Sequence, residues 1–131
     1  MPDQIPFKEA GIEENIGIRI SGEIDKFTTK RPNASIDIQK VSEAVGSPAM
    51  TVKRVFYLLL GMQLLKATFL PRHKACDGII GQQETSVEMI SHKALNGGYG
   101  SFCPLCFEPF ETSKDIEIQI VFWKPGAKIG L

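Results

Sequence analysis

The stretch of sequence that decides the fold is residues 36–65, IDIQKVSEAVGSPAMTVKRVFYLLLGMQLL. In its first part, apolar side chains recur at helical spacing, at Ile38, Val41, Ala44 and Val45. Asp37 precedes them and is a favourable N-cap, and Gly46 is a favourable terminator. The pattern therefore predicts a short helix followed by a tight turn.

A second, longer helix is predicted after this turn. Ser47 offers a hydroxyl to cap it, and Pro48 stands at its first position, where the missing N–H costs nothing. Gly61 is the expected terminator. The apolar stripe of the helix comprises Val52, Val55, Phe56, Leu59 and Leu60. Two helices joined in this way form a helix-turn-helix, although a plain αα-corner in another all-α domain has the same pattern.

Four segments carry a further pattern, namely IDIQKVSEAV at 36–45, KRVFY at 53–57, GMQLL at 61–65 and IVFWKPG at 120–126. They resemble, in this order, the second helix, the recognition motif, the helix exit and the closing strand of the E-two-factor/DP family of cell-cycle transcription factors. The resemblance is continuous over roughly residues 16–69 and resumes at the last strand. Lys53 replaces the first Arg of the recognition motif, and Tyr57 stands where the family has Asp.

This resemblance implies an α+β fold, a winged helix-turn-helix with three helices and a β-hairpin wing. It also implies sequence-specific or general binding of double-stranded DNA and a role in transcription. A location in the nucleus follows from the same resemblance, as does a homodimer or a heterodimer with another winged-helix protein.

The parts of the chain that flank this stretch complete the predicted domain. Residues 1–11 hold two prolines without periodicity and are expected to form a flexible arm. A first helix is predicted from about Asn15 to Thr29, because Ile16, Ile20, Ile24 and Phe27 share one helical stripe. Residues 12–131 are then expected to form a single winged-helix domain.

The wing strands are predicted at residues 62–70, ended by Pro71, and at 115–123, where Ile116, Ile118 and Ile120 alternate with polar side chains. They enclose an insertion, residues 71–114. Because a structureless loop of this length would be unusual in a compact domain, the insertion should have its own organisation. Thr85-Ser86-Val87-Glu88 matches a capping box, and a short helix is predicted from about Ser86 to Leu95.

The insertion contains all three cysteines and both histidines. His73-x2-Cys76 and Cys103-x2-Cys106 form two half-sites with the spacing of zinc knuckles. Four such ligands suit a closed, tetrahedral, structural zinc site. His92 is the alternative fourth ligand, and buried unliganded cysteines or a redox pair are the competing interpretations.

Composition bounds the function. The chain has 131 residues, 15 basic and 15 acidic side chains, and three cysteines, a number that argues against a disulfide framework. Residues 19–54 hold seven basic against four acidic side chains, whereas residues 1–18 hold one against four. No apolar run approaches the length of a membrane span, so no membrane partner is expected.

The leading hypothesis is that the helix beginning near Pro48 lies in the major groove of DNA. The candidate DNA-binding residues are Lys30, Arg31, Lys40, Thr51, Lys53, Arg54 and Lys66. The alternative is a winged-helix module for protein interaction within a larger nuclear assembly, with an apolar surface of Phe102, Leu105, Phe107 and Phe110. No nucleophile–base pair or pair of carboxylates stands out, so the sequence predicts no enzyme.

Overall fold

The computed structural model describes residues 5–129, and over this range the chain is α+β, with four helices and a two-stranded antiparallel sheet. The elements in chain order are α1 Glu14–Lys30, α2 Ile38–Val45, α3 Ala49–Gly61, β1 Lys66–His73, α4 Val87–Leu95 and β2 Ile116–Trp123. A 3-10 turn, Ser113–Asp115, precedes β2. Within the described residues, none of the helices combines the length and apolarity that crossing a membrane requires.

The described chain divides into two compact units. We call the first, residues 5–66 and 122–129, the helical unit, because it contains α1, α2 and α3. The second, residues 67–121, is the Cys/His unit, since it contains every cysteine and histidine. The predicted insertion, residues 71–114, lies within the Cys/His unit.

The predicted ends of α2 are confirmed. The backbone N–H of Gln39 donates to the Asp37 carboxylate at 2.8 Å, which caps the helix. Gly46 takes the left-handed conformation, with φ 69°, and its N–H donates to the Ser42 carbonyl at 2.9 Å. Glycine reaches this conformation without a steric penalty, so the chain can leave α2 and turn directly into α3.

The predicted start of α3 is wrong by one position. Pro48 is the N-cap and Ala49 the first helical residue, and no side chain caps this end. The Ser47 carbonyl accepts a hydrogen bond from the Ser42 hydroxyl of α2 instead. This bond joins α2 to the turn that precedes α3. The helix ends at Gly61 as predicted, but the left-handed residue that follows the end is Gln63, with φ 61°, rather than the glycine.

The core of the helical unit is apolar and formed by all three helices. Its most deeply buried large side chains are Ile20, Ile24, Phe56 and Leu59. Phe122, which belongs to the same unit, packs edge to face on Phe56 with 5.0 Å between ring centroids. The helical stripes read from the sequence for α1 and α3 are thus the sides of these helices that face the core.

The N-terminal segment differs from the predicted flexible arm. Residues 7–11 form a turn, and Phe7 is buried against the backbone of α1 at Gly17. The absence of a side chain at Gly17 lets the Phe7 ring approach the helix. The sequence around Phe7 has no helical or strand periodicity, so it did not predict that the Phe7 ring is buried. Residues 1–4 of the predicted arm lie outside the described residues.

Strand β1 also differs from its prediction, since it begins at Lys66 rather than at 62 and continues through Pro71 to His73. Pro71 has no N–H to donate, but its carbonyl accepts a hydrogen bond from the Ile80 N–H at 3.0 Å. Because the hydrogen bond at this position needs only an acceptor, the strand tolerates the proline. β1 pairs with β2, and the Lys74 N–H donates to the Asp115 carbonyl at 2.8 Å beyond the strand ends. The strand consequently delivers His73 to the first half-site.

Candidate metal centre and basic helical face

The two half-sites are built as the same turn. His73 and Cys103 are the first ligand of each, and they stand thirty positions apart in the sequence. The His73 N–H donates to the Gly78 carbonyl at 2.8 Å, and the Cys103 N–H donates to the Glu108 carbonyl at 2.8 Å. Both bonds join the first ligand to the residue five positions later.

The inner parts of the two turns also correspond. The Asp77 N–H donates to the His73 carbonyl at 2.8 Å, and the Phe107 N–H donates to the Cys103 carbonyl at 2.9 Å. Asp77 and Phe107 both have φ 64°, in the left-handed region. Each turn therefore reverses the chain immediately after its second ligand.

The flanking residues repeat the correspondence once more. Arg72 pairs with Ile79 in an antiparallel bridge, and Phe102 pairs with Pro109 at the equivalent positions. Each half-site is thus a short hairpin whose tip presents two ligand side chains. Two copies of one turn, rather than one irregular loop, build the cluster.

The four ligand atoms converge. Those of His73, Cys76, Cys103 and Cys106 all lie within 4.8 Å of one another, so this group could hold a metal ion. Cys76 Sγ lies 3.7 Å from Cys103 Sγ, and Cys106 Sγ lies 3.3 Å from His73 Nδ1. The convergence predicted for these four residues is confirmed.

His92, the alternative ligand, stands elsewhere. It lies on α4, where its ring contacts the Asn96 side-chain amide, and it is not part of the cluster. α4 begins with Ser86 as N-cap, whose hydroxyl accepts from the Met89 N–H at 3.3 Å. The cap is therefore one residue later than the predicted capping box at Thr85, and the predicted helix is otherwise confirmed.

Packing and hydrogen bonds hold the ligands in place. His73 and Cys103 are buried, and the His73 ring meets the Phe110 ring edge to face at 5.1 Å. Burial alone would raise the pKa of the Cys103 thiol. Backbone N–H groups of Cys106 and Leu105, with the neighbouring thiols, outweigh it and lower this pKa to about 7.

The pKa of Cys106, the second thiol of the same half-site, shifts in the opposite direction. A hydrogen bond from the Glu108 N–H favours the Cys106 thiolate, but burial and the thiols of Cys103 and Cys76 prevail and raise the pKa of Cys106. Of the two thiols of this half-site, Cys103 consequently ionises more readily. A metal-bound thiol is deprotonated, so a thiol that already favours its anion is a suitable ligand.

Two further interactions support the Cys/His unit. The N–H groups of Thr112 and Glu111 donate to the Asp115 carboxylate at 3.1 and 2.7 Å and lower the pKa of Asp115. Near α4, Lys93 forms an ion pair with Glu84, and this hydrogen bond raises the pKa of Lys93. The first interaction holds the segment between the second half-site and β2, and the second lies in the chain that connects the two half-sites.

The solvent side of α3 carries the two basic residues predicted to contact DNA. Lys53 and Arg54 are exposed, whereas Val55 and Phe56, which follow them, are completely buried. The Lys53 ammonium lies 5.8 Å from the centre of the Tyr57 ring, within the range of a cation–π interaction. Thr51, the third predicted residue on this helix, is half-buried.

The remaining predicted DNA-binding residues are exposed residues of the helical unit. Lys30 ends α1 and Arg31 follows it, Lys40 lies on α2, and Lys66 begins β1.

A further exposed basic residue, not among the predicted DNA-binding residues, lies near the loop after α1. The Lys128 N–H donates to the Asn33 side-chain oxygen at 2.9 Å, so the exposed Lys128 lies beside the loop that carries Arg31. Lys124, also exposed, belongs to the same C-terminal segment. Ninety-five positions separate Lys128 from Asn33, so only the hydrogen bond itself could reveal their proximity.

The net charge of zero conceals an unequal distribution between the units. The described helical unit, residues 5–66 and 122–129, holds eleven basic and seven acidic side chains, a net charge of +4. The Cys/His unit, residues 67–121, holds four basic and seven acidic side chains, a net charge of −3. The net charge of zero for the whole chain therefore does not describe the helical unit, whose excess of basic side chains has the sign that phosphates attract.

Comparisons of the chain with protein-family models, with curated proteins and with solved structures find no match. Function is therefore inferred from the chemistry of these residues.

Proposed function

We propose that the protein binds double-stranded DNA through the helical unit and that a structural zinc ion organises the Cys/His unit. The observation that carries the first part is the solvent side of α3. Lys53 and Arg54 project from it within a unit of net charge +4. Neutralising phosphates with lysine and arginine supplies most of the non-specific affinity of proteins for DNA.

In this proposal, α2 and α3 form the helix-turn-helix and α3 enters the major groove with its N-terminal turns against the bases. Arg54 suits a bidentate contact to guanine, because its guanidinium presents two parallel donors. Lys53 is directed along the helix by Tyr57 and suits a phosphate. Lys30, Arg31 and Lys128 would then position the DNA backbone.

The element order supports a winged helix as the finer description of the fold. Three helices are followed by an antiparallel pair of strands, which is the order in the winged helices that residues 36–65 resemble. The same resemblance is the basis for proposing a dimer, a role in transcription and a location in the nucleus.

Zinc is the proposed metal because of the donor set and its spacing. Tetrahedral geometry with Zn–S bonds of about 2.3 Å places two sulfurs about 3.8 Å apart. The Sγ atoms of Cys76 and Cys103 are 3.7 Å apart. A disulfide would require about 2.05 Å, so these thiols are spaced for a shared metal. Four protein ligands leave no position for a reactive water, which makes the proposed zinc structural.

The test is fluorescence anisotropy of a labelled GC-rich duplex titrated with the zinc-loaded protein, repeated between about 50 and 200 mM salt. The logarithm of the affinity should fall linearly with the logarithm of the salt concentration. Arg54→Ala should weaken binding by about 1–3 kcal/mol. Arg54→Lys, which keeps the charge but not the planar fork, separates a base contact from a phosphate contact.

The matched control is Lys114→Ala, which removes one exposed positive charge from the Cys/His unit. It should leave the affinity and the salt dependence unchanged. Lys128→Ala should reduce the slope against log salt by about 0.9, as expected for one lost phosphate contact. Absence of binding at low salt, or an equal loss in Lys114→Ala and Arg54→Ala, would refute the assignment to α3.

A further inference from the structure

The two turns of the candidate metal centre expose apolar side chains. We define the knuckle patch as Ile79, Phe102, Leu105 and Phe107, which are 40%, 55%, 55% and 73% exposed. Leu105 reaches across to the other turn, because a side chain added at Gly78 would overlap its Cδ1 atom. The patch therefore includes residues from both turns rather than isolated side chains.

The backbone conformation of Phe107 is energetically unfavourable. Its φ of 64° lies in the left-handed region, which residues with a bulky side chain rarely adopt. At the corresponding position of the other turn stands Asp77, a short polar residue of the kind that tolerates this conformation. Phe107 is 73% exposed, so the little apolar surface that it buries does not offset this strain. A strained residue with an exposed aromatic ring indicates a role outside folding.

The charge around the patch selects its partner. Glu108 and Glu111 follow Phe107 and are exposed, and the whole unit has a net charge of −3. On the other turn Arg72 is paired with Asp77 at 3.4 Å and Lys74 is exposed, so the charged residues that flank the patch have a net charge of −1. A negative flank repels phosphates, so the exposed aromatics do not suit stacking on nucleic-acid bases. Phe110, included in the predicted apolar surface, packs on His73 instead and does not belong to the patch.

We infer that the knuckle patch binds a protein segment that carries an aromatic or aliphatic anchor flanked by lysine or arginine. The anchor would be covered by Phe102, Leu105 and Phe107, and the basic flanks would meet Glu108 and Glu111. This arrangement of an apolar centre and a charged rim of opposite sign is typical of protein–protein recognition. The inference goes beyond DNA binding and does not depend on it.

The experiment is a selection of phage-displayed random linear peptides on the immobilised, zinc-loaded full chain, with a parallel selection on Phe107→Gly. Glycine takes the left-handed conformation freely, so this variant should fold and retain its metal. Wild type should enrich peptides with an apolar anchor and basic flanks. A synthetic peptide of the enriched sequence should bind Phe107→Gly at least about tenfold more weakly in an anisotropy titration.

Leu95→Ala is the matched control, because Leu95 has the same 73% exposure and lies in the same unit, but on α4. It should bind the peptide as wild type does. Phe102→Ser provides a second variant of the patch and should weaken binding in the same direction. Circular dichroism and metal content verify the fold of each variant, and duplex binding by Phe107→Gly should equal that of wild type.

Several results would overturn the inference. These are no enrichment over Phe107→Gly, enrichment of acidic peptides, or equal peptide affinity in Phe107→Gly and wild type. Single-stranded DNA that binds wild type but not Phe107→Gly would assign the patch to nucleic acid. Self-association in sedimentation that disappears in Phe107→Gly would assign it to a second copy of the chain.

Discussion

Removing the ligand His73 is expected to unfold the Cys/His unit while the helical unit stays folded. Besides Pro71 and the cluster residues His73 and Cys103, the only large side chain that is fully buried within residues 67–121 is Ile90. Its burial stabilises the unit by about 1.5–3 kcal/mol, whereas structural zinc contributes about 10–16 kcal/mol of apparent binding free energy. The helical unit, in contrast, buries large side chains from each of its three helices.

The size of the effect follows from the ligand count. Mutating a residue that only hydrogen-bonds to a metal ligand already lowers metal affinity by about 10–100-fold. The loss of one of four ligands in His73→Ala should therefore weaken zinc binding by at least about 100-fold. His92→Ala is the matched control, because it removes the other histidine, which lies on α4 outside the cluster.

Hydrogen–deuterium exchange read by mass spectrometry separates the two units. In His73→Ala, and in wild type treated with a chelator, amides of residues 67–121 should exchange as in an unfolded chain. Those of α1, α2 and α3 should keep their protection, and His92→Ala should behave as wild type. Full protection of residues 67–121 in metal-free protein would refute the reasoning, and so would an equal loss of protection in α1, α2 and α3.

Two further predictions concern stability. Gly17→Ala should destabilise the helical unit by about 1–3 kcal/mol, because the added methyl overlaps the Phe7 ring. Gly22→Ala is the matched control in the same helix. It should stabilise the unit by about 0.5–1 kcal/mol, because nothing lies within 4 Å of the added atom. Urea unfolding followed by circular dichroism measures both, and the opposite order would contradict the packing of Phe7. The ion pair with Glu84 raises the pKa of Lys93 above its ordinary value of 10.5, so its stabilisation is present below that pH and is lost as the pH rises through the raised pKa. Lys93→Gln should remove this alkaline dependence of the free energy of unfolding, and the exposed Lys114→Gln should retain it.

Several elements could be predicted because the information was local. Asp37 caps α2 and Gly46 ends it through bonds that span at most four residues. The apolar periodicity of α1 and α3 reported which side of each helix is buried. The spacing of His73-x2-Cys76 and Cys103-x2-Cys106 indicated a metal site, because each half-site needs only one turn to bring its pair of ligands together.

Other features depended on contacts between distant residues. β1 continues through Pro71 because the hydrogen bond at this position, from the Ile80 N–H, requires only the Pro71 carbonyl. Phe7 is buried because Gly17 leaves room for its ring, and the two residues are not related by any periodic pattern.

The sequence by itself therefore determined the helices, the cap and terminator of α2 and the spacing of the two half-sites, since backbone conformation and ligand spacing are properties of neighbouring residues. Only the tertiary structure decided that His73 rather than His92 completes the cluster and that Lys128 lies beside the loop of Arg31. It also decided that a chain of zero net charge divides into a helical unit of +4 and a Cys/His unit of −3, the remaining charge being Asp3 of residues 1–4. The physical reason is that charge, burial and ligand geometry depend on distances in space, which separation along the chain does not specify.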